Sequence, residues 1–168
     1  MKRPRPSPPA DMPAGTVTLN VPIPWFSVAL HVTSVSLDPN DVSRWFGVEP
    51  TESYTKGVPI LRPDGTVQRV PKFGRWEIKV KPSATDEWDL NEVIADLLRP
   101  LPQDNGIWER VAQLGTLELS VGLELTERNQ EFALEHDLLK LLGERRIRCW
   151  VDVYRKDGEE SSDDVPAA

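Results

Sequence analysis

The chain has 168 residues, 39% hydrophobic and 28% charged, which is the composition of one globular domain long enough to bury a core. Its formal charge of −7 opposes phosphate backbones, so nonspecific nucleic-acid binding is disfavoured and a protein partner, basic if charge guides the choice, is favoured. No apolar run approaches the roughly 18 residues of a membrane helix, the single cysteine, Cys149, has no internal disulfide partner, and MKRPRPSPPADMPAG lacks the apolar stretch of a secretory signal. A cytoplasmic protein without a membrane span is the expectation.

Five of the first fifteen residues are proline, which removes backbone donors and favours extended, solvated chain, so residues 1–15 read as a disordered arm. Residues 16–154 read as one domain. From Trp25 the run WFSVALHVTSVSL alternates, with Phe26, Val28, Leu30 and Val32 on one face and Trp25, Ser27, Ala29, His31 and Thr33 on the other. The parity slips at Val35 and Leu37, which calls for a bulge or bend near Ser34. Asp38 and Pro39 then supply an N-cap and a first helical residue, Val42, Trp45 and Phe46 form the apolar stripe, and Gly47 ends the helix.

Glu49, Pro50 and Thr51 lead into a turn through Ser53, Tyr54, Lys56 and Gly57. Residues 58–74 are rich in proline and glycine, and Asp64-Gly65 marks a tight turn across which Ile60-Leu61 and Thr66 to Val70 pair as a small hairpin arm, expected to protrude and to be mobile because little in it could be buried. Arg75 to Lys81 alternates as a strand with Trp76, Ile78 and Val80 inward. Asp89 caps a helix bearing Leu90, Val93, Ile94, Leu97 and Leu98, with Trp88 before the cap as a hydrophobic staple, and a second helix runs from about Gly106 to Leu114. Thr116 to Thr126 alternates as a central strand, Glu131 to Leu142 is an amphipathic helix, and Arg146 to Tyr154 is a strand burying Ile147, Cys149, Val151 and Val153. Residues 155–168 form an acidic tail with the composition of disordered chain.

Alternation in four strands gives each a wet face, so the fold predicted is α+β: a two-layer sandwich with a mainly antiparallel sheet of four strands, or five. The helices lie on one face, as a ferredoxin-like variant. The open face then carries Trp25, His31, Arg75, Glu77, Lys79, Glu118, Glu124, Arg148, Trp150, Asp152 and Tyr154. Exposed aromatics among paired charges suit a binding surface, because Trp and Tyr give anchor area at low entropy cost. Cross-strand support is the plainer role for the same residues.

Chemistry is thinly represented. His31 and His136 stand in no metal-ligand spacing, so neither a metal nor a cofactor is implied. Cys149 falls between apolar positions and reads as a small core residue, and no GxSxG, P-loop or dinucleotide fingerprint occurs. Asp152, Glu118 and Glu124 are the carboxylates best placed to meet, and charge pairing with Arg75, Lys79 and Arg148 is their simplest use.

Leu37-Asp38-Pro39, Trp45-Phe46-Gly47-Val48, Glu49-Pro50-Thr51, Ser53, Lys56-Gly57, Gly74-Arg75-Trp76 and Asp152-Val153-Tyr154 together resemble the bacterial family catalogued as domain of unknown function 4279. The likeness spans about Phe26 to Tyr154, with Tyr54 standing where tryptophan is expected. The family name implies no activity, and small acidic domains of this kind suggest immunity or adaptor proteins by analogy alone.

Two functional expectations follow. The first is a non-enzymatic protein-binding module, of immunity or adaptor type, that uses the sheet face (Trp25, His31, Trp150, Asp152, Tyr154) or the 58–74 arm. The second is a small-ligand or anion-binding protein or enzyme with its site at the turn, where Glu49, Thr51, Ser53, Tyr54 and Lys56 would be the polar contacts.

Overall fold

The computed structural model describes residues 25–80, 89–125 and 132–155; the side chains of Trp25, Leu125 and Arg155 lie outside that description. The Pro-rich arm, residues 16–24, Trp88 and the tail beyond Arg155 also fall outside it.

Among the described residues, seven strands and four helices follow in the order β1 (Trp25–Ser34), α1 (Pro39–Phe46), β2 (Glu52–Tyr54), β3 (Ile60–Leu61), β4 (Val67–Arg69), β5 (Gly74–Val80), α2 (Leu90–Leu98), α3 (Asn105–Leu114), β6 (Thr116–Leu125), α4 (His136–Glu144) and β7 (Arg148–Arg155). Five strands form the main sheet in the order β2-β5-β1-β6-β7, and β3 and β4 make a separate hairpin. Strand β1 lies at the centre, antiparallel to β5 and β6, while β7 runs parallel to β6 after the crossover through α4. The two-layer α+β sandwich expected from the alternation is therefore present, with one parallel pair in a mostly antiparallel sheet.

One sheet face and the helices share the core. Val28, Leu30 and Val32 of β1, Trp76 of β5, and Leu117, Leu119, Val121 and Leu123 of β6 are all buried. Helix α1 contributes Val42 and Phe46, α2 contributes Ile94 and Leu98, and α3 contributes Trp108 and Val111. Phe46 links the two large rings, with its centroid 5.3 Å from Trp76 and 4.8 Å from Trp108. Both indole N–H groups are satisfied: Trp76 donates to Ser43 Oγ at 3.0 Å and Trp108 to the Pro102 carbonyl at 2.8 Å.

Local chemistry accounts for the element ends. Asp38 accepts from the Asn40 amide at 2.9 Å, and Gly47 closes α1 in the left-handed region at φ 70°. The parity slip resolves as a strand end: β1 stops at Ser34, Val35 and Ser36 turn, and Leu37 re-enters the core. Gly74 faces Ser34 in the ladder, and a Cβ there would stand 2.7 Å from the Leu37 carbonyl oxygen, so this close approach requires glycine.

Five expectations are corrected. Glu52–Tyr54 is a strand, paired with Glu77–Arg75, because Thr51 docks it: the Thr51 amide donates to the Glu77 carbonyl at 2.7 Å, and Thr51 Oγ1 accepts from the Lys79 amide at 3.1 Å. Helix α4 begins at His136, since the Asn91 side chain holds the preceding segment extended by bonds to Ala133 and Glu135, each 2.9 Å. Strand β7 begins at Arg148, since the Ile147 amide is spent on the Leu142 carbonyl and Arg146 takes a left-handed turn at φ 56°. Val153 is 53% exposed rather than buried, and Trp45 is only partly buried at the core's margin.

Candidate functional site

Cross-strand register sets Glu52, Glu77, His31, Glu118 and Arg148 in one row across all five strands of the open face. Its middle is well covered, with His31 and Glu77 each 7% exposed. Arg75 donates to Glu77 through Nε at 2.9 Å and also through Nη2, and Nη2 lies 3.3 Å from His31 Nδ1. His31 Nε2 lies 3.2 Å from Glu118 Oε1, and Glu118 Oε2 is 3.5 Å from Arg148 Nε.

These neighbours fix the imidazole's tautomer. A guanidinium can only donate, so Nδ1 accepts from Arg75 and the proton sits on Nε2, where it is donated to Glu118. Burial lowers the His31 pKa below its ordinary 6.5 and the Arg75 charge lowers it further, against the opposing pull of Glu118 and Glu77. His31 is thus a neutral bridge between a cation and a carboxylate. The chain of contacts continues along β7: Arg148 lies over the Trp150 ring at 4.9 Å, and Trp150 Nε1 donates to Asp152 at 2.8 Å.

Beside this network a groove of about 390 Å³ is bounded by His31, Thr33, Val35, Phe73, Arg75 and Glu118. A second hollow, of about 380 Å³, lies where α3 meets β6 and β7, with Glu109, Gln113, Arg146 and Arg148 at its rim. Glu118 and Arg75 spend their charges on neighbours, and both imidazole nitrogens are taken. Among the described residues no group of three His, Cys, Asp or Glu side chains could hold a metal ion. Cys149 is half-buried, and burial followed by the Glu118 charge pushes its thiol pKa up, away from the reactive thiolate.

The turn residues are not gathered around either hollow. Glu49, Ser53 and Lys56 are exposed, whereas Tyr54 is half-buried at the root of the 58–74 arm. There its ring lies 6.3 Å from Phe73 and receives the Arg69 guanidinium at 4.8 Å, while Arg69 also reaches Glu52 at 3.5 Å. The Gly57 amide donates to the Pro71 carbonyl at 2.9 Å, closing the base of the arm. At the tip, Arg62 bonds Thr66 at 2.8 Å, and Asp64 accepts from the Thr66 amide and hydroxyl at 2.9 and 2.6 Å.

The arm is therefore tied at root, middle and tip, yet its apolar side chains face solvent: Val58, Leu61, Val67, Val70 and Phe73 are all exposed. Eleven large hydrophobic residues are exposed among the described residues, and five belong to this one element. The sequence placed the arm but not this concentration, which the pairing of Ile60 with Arg69 and Leu61 with Val67 creates. Arg145 was also not anticipated. It is 2% exposed, lies over Trp108 at 4.7 Å and donates to Gln103 at 3.0 Å, and its Nε and Nη1 have no partner among the described residues.

A five-stranded α+β sandwich with a projecting hairpin between β2 and β5 defines the class. The chain belongs to the family described as Domain of unknown function (DUF4279), whose model matches residues 24–156. No curated protein and no solved structure matches it. Several family-like residues hold the frame of the arm: Thr51 docks β2, Gly57 closes the base and Gly74 seats β5 against Leu37.

Proposed function

We propose that this chain is a non-enzymatic protein-binding module that engages its partner through the arm from Val58 to Gly74. The observation that carries this reading is the gathering of Val58, Leu61, Val67, Val70 and Phe73 as exposed side chains on a hairpin whose backbone is already fixed. Exposed apolar side chains scattered singly need no explanation, but a cluster on a protruding ordered element marks an interaction site. Fixing the hairpin before contact lowers the ordering cost of binding.

Among the described side chains of the open sheet face, those at its β7 edge support this reading, where Trp150, Asp152 and Tyr154 are exposed. Its centre is occupied by side chains already bonded to one another. An adaptor role fits best, because an immunity-type role against a basic partner would need an acidic contact surface. The arm does not provide one.

The test is capture from a lysate of the source cells by the full chain and by a variant with residues 58–70 replaced by a Gly-Ser linker. A protein retained by the first and released by the second is the expected result. Equal retention of every captured protein by both would overturn the assignment to the arm.

A further inference from the structure

Resting on that reading of the arm, we infer that its partner is a protein presenting an acidic surface around an apolar centre. Overall charge points the opposite way, since −7 favours basic partners. The charge is unevenly placed, however. Residues 55–73 carry Lys56, Arg62, Arg69 and Lys72 against the single acid Asp64, a net +3 that leaves −10 on the rest of the chain.

The way these charges are used strengthens the asymmetry. Asp64 accepts two bonds from Thr66 and serves the tip turn. Those bonds hold its carboxyl pKa below the ordinary value. Arg69 is committed to Tyr54 and Glu52 at the root. Lys56, Arg62 and Lys72 are exposed and form no ion pair among the described residues. Toward a partner the arm and the turn at its root thus offer three uncommitted cations, Lys56 in the turn and Arg62 and Lys72 in the arm, flanking exposed apolar side chains.

Nucleic acid and anionic membrane would also attract these cations. Either would bring an extended sheet of negative charge against the acidic body, whereas a protein groove admits the arm alone. The apolar residues are mainly β-branched valines, suited to packing in a groove, and none is the tryptophan that favours a membrane interface.

The experiment uses the full chain and two arm variants, Leu61→Ser with Val67→Ser and Arg62→Glu with Lys72→Glu, after far-UV circular dichroism shows that each is folded. Probes are fifteen-residue peptides alternating Leu or Phe with Glu, matched peptides with Lys or Ser in place of Glu, duplex DNA, and phosphatidylserine vesicles. Expected is binding to the Glu peptides alone, weakened at least about tenfold by the charge reversals and by raising salt from about 0.05 to 0.3 M, and lost in the serine variant. Preference for DNA or vesicles would overturn the inference in favour of that polyanion. Equal binding to Glu, Ser and Lys peptides, unmoved by charge reversal but lost in the serine variant, would overturn the acidic partner and keep the arm as a protein-binding element. Failure of every probe, with both variants still capturing the lysate proteins that the wild type captures, would remove both.

Discussion

The open sheet face and the arm carry similar chemistry, charged groups beside aromatic and apolar side chains, but they use it differently. On the sheet, Arg75 is spent on Glu77 and His31, and Glu118 on His31 and Arg148. On the arm and at its root, Lys56, Arg62 and Lys72 are uncommitted and the arm's apolar side chains are uncovered. A surface whose polar groups satisfy one another gains little from a partner, since binding must first break what is already made. A surface with fixed backbone and unspent side chains gains most. The sheet network therefore contributes to the fold, whereas the arm leaves apolar and cationic side chains uncovered.

The largest effect that would break this comparison lies at Arg75. Its removal leaves Glu77, 7% exposed, as a carboxylate without its cation, and leaves His31 Nδ1 without its donor. Arg75→Ala is expected to destabilise the chain by about 2 to 3 kcal/mol in urea unfolding, somewhat below the cost of breaking a fully buried pair because Arg75 is partly exposed. Adding Glu77→Gln should recover part of that loss, since the stranded charge is then gone. A loss under about 0.5 kcal/mol would mean the face is a solvated charge cluster with no structural role.

A smaller effect is the pH dependence at His31. Its folded pKa lies below the unfolded value of about 6.5, so between the two the unfolded chain binds a proton that the folded chain refuses. Stability is therefore fully present above about pH 6.5 and falls as pH drops, until the folded imidazole itself takes a proton. The slope is at most about 1.4 kcal/mol per pH unit. Protonation would also turn Nδ1 from acceptor to donor and set it against Arg75, with Glu77 and Glu118 as the opposing charges nearby. His31→Gln can keep an acceptor toward Arg75 and a donor toward Glu118, and should flatten the fall of the unfolding free energy just below about pH 6.5. An unchanged slope in that variant would assign the dependence to other groups.

The same contrast explains what could be read from residues alone. The alternation in β1 and β6 and the cap and stop residues Asp38 and Gly47 are local signals, and they placed the sheet and α1. Strand β2 is three polar or half-buried residues with no pattern of its own, and only its docking through Thr51 makes it a strand. The His31 network depends on partners 44 and 87 positions away in the chain, so it becomes visible only once strand order brings β5 and β6 to either side of β1. Tyr54 and Lys56 were legible as specific residues but not as the root of an arm. Their turn reads as a polar pocket until the Tyr54–Phe73 contact and the Gly57–Pro71 bond show it to be the base of the arm.

The smallest expected effect gives the sharpest test of the arm. Leu61 and Val67 are directly paired across the hairpin and are 57% and 53% exposed, so replacing both with serine removes little buried apolar area. Thermal or urea unfolding of the Leu61→Ser, Val67→Ser chain should stay within about 0.5 kcal/mol of the wild type, as for surface sites away from caps and the core. That near-silence is informative because ordinary core truncations cost several times as much. If the double variant instead lost more than about 1 kcal/mol, the two side chains would be packing against the body in solution, and the arm would belong to the fold in the same way as the sheet network. With stability unchanged and binding lost, the apolar side chains have no function inside the monomer, and a partner is the remaining place for them to be buried.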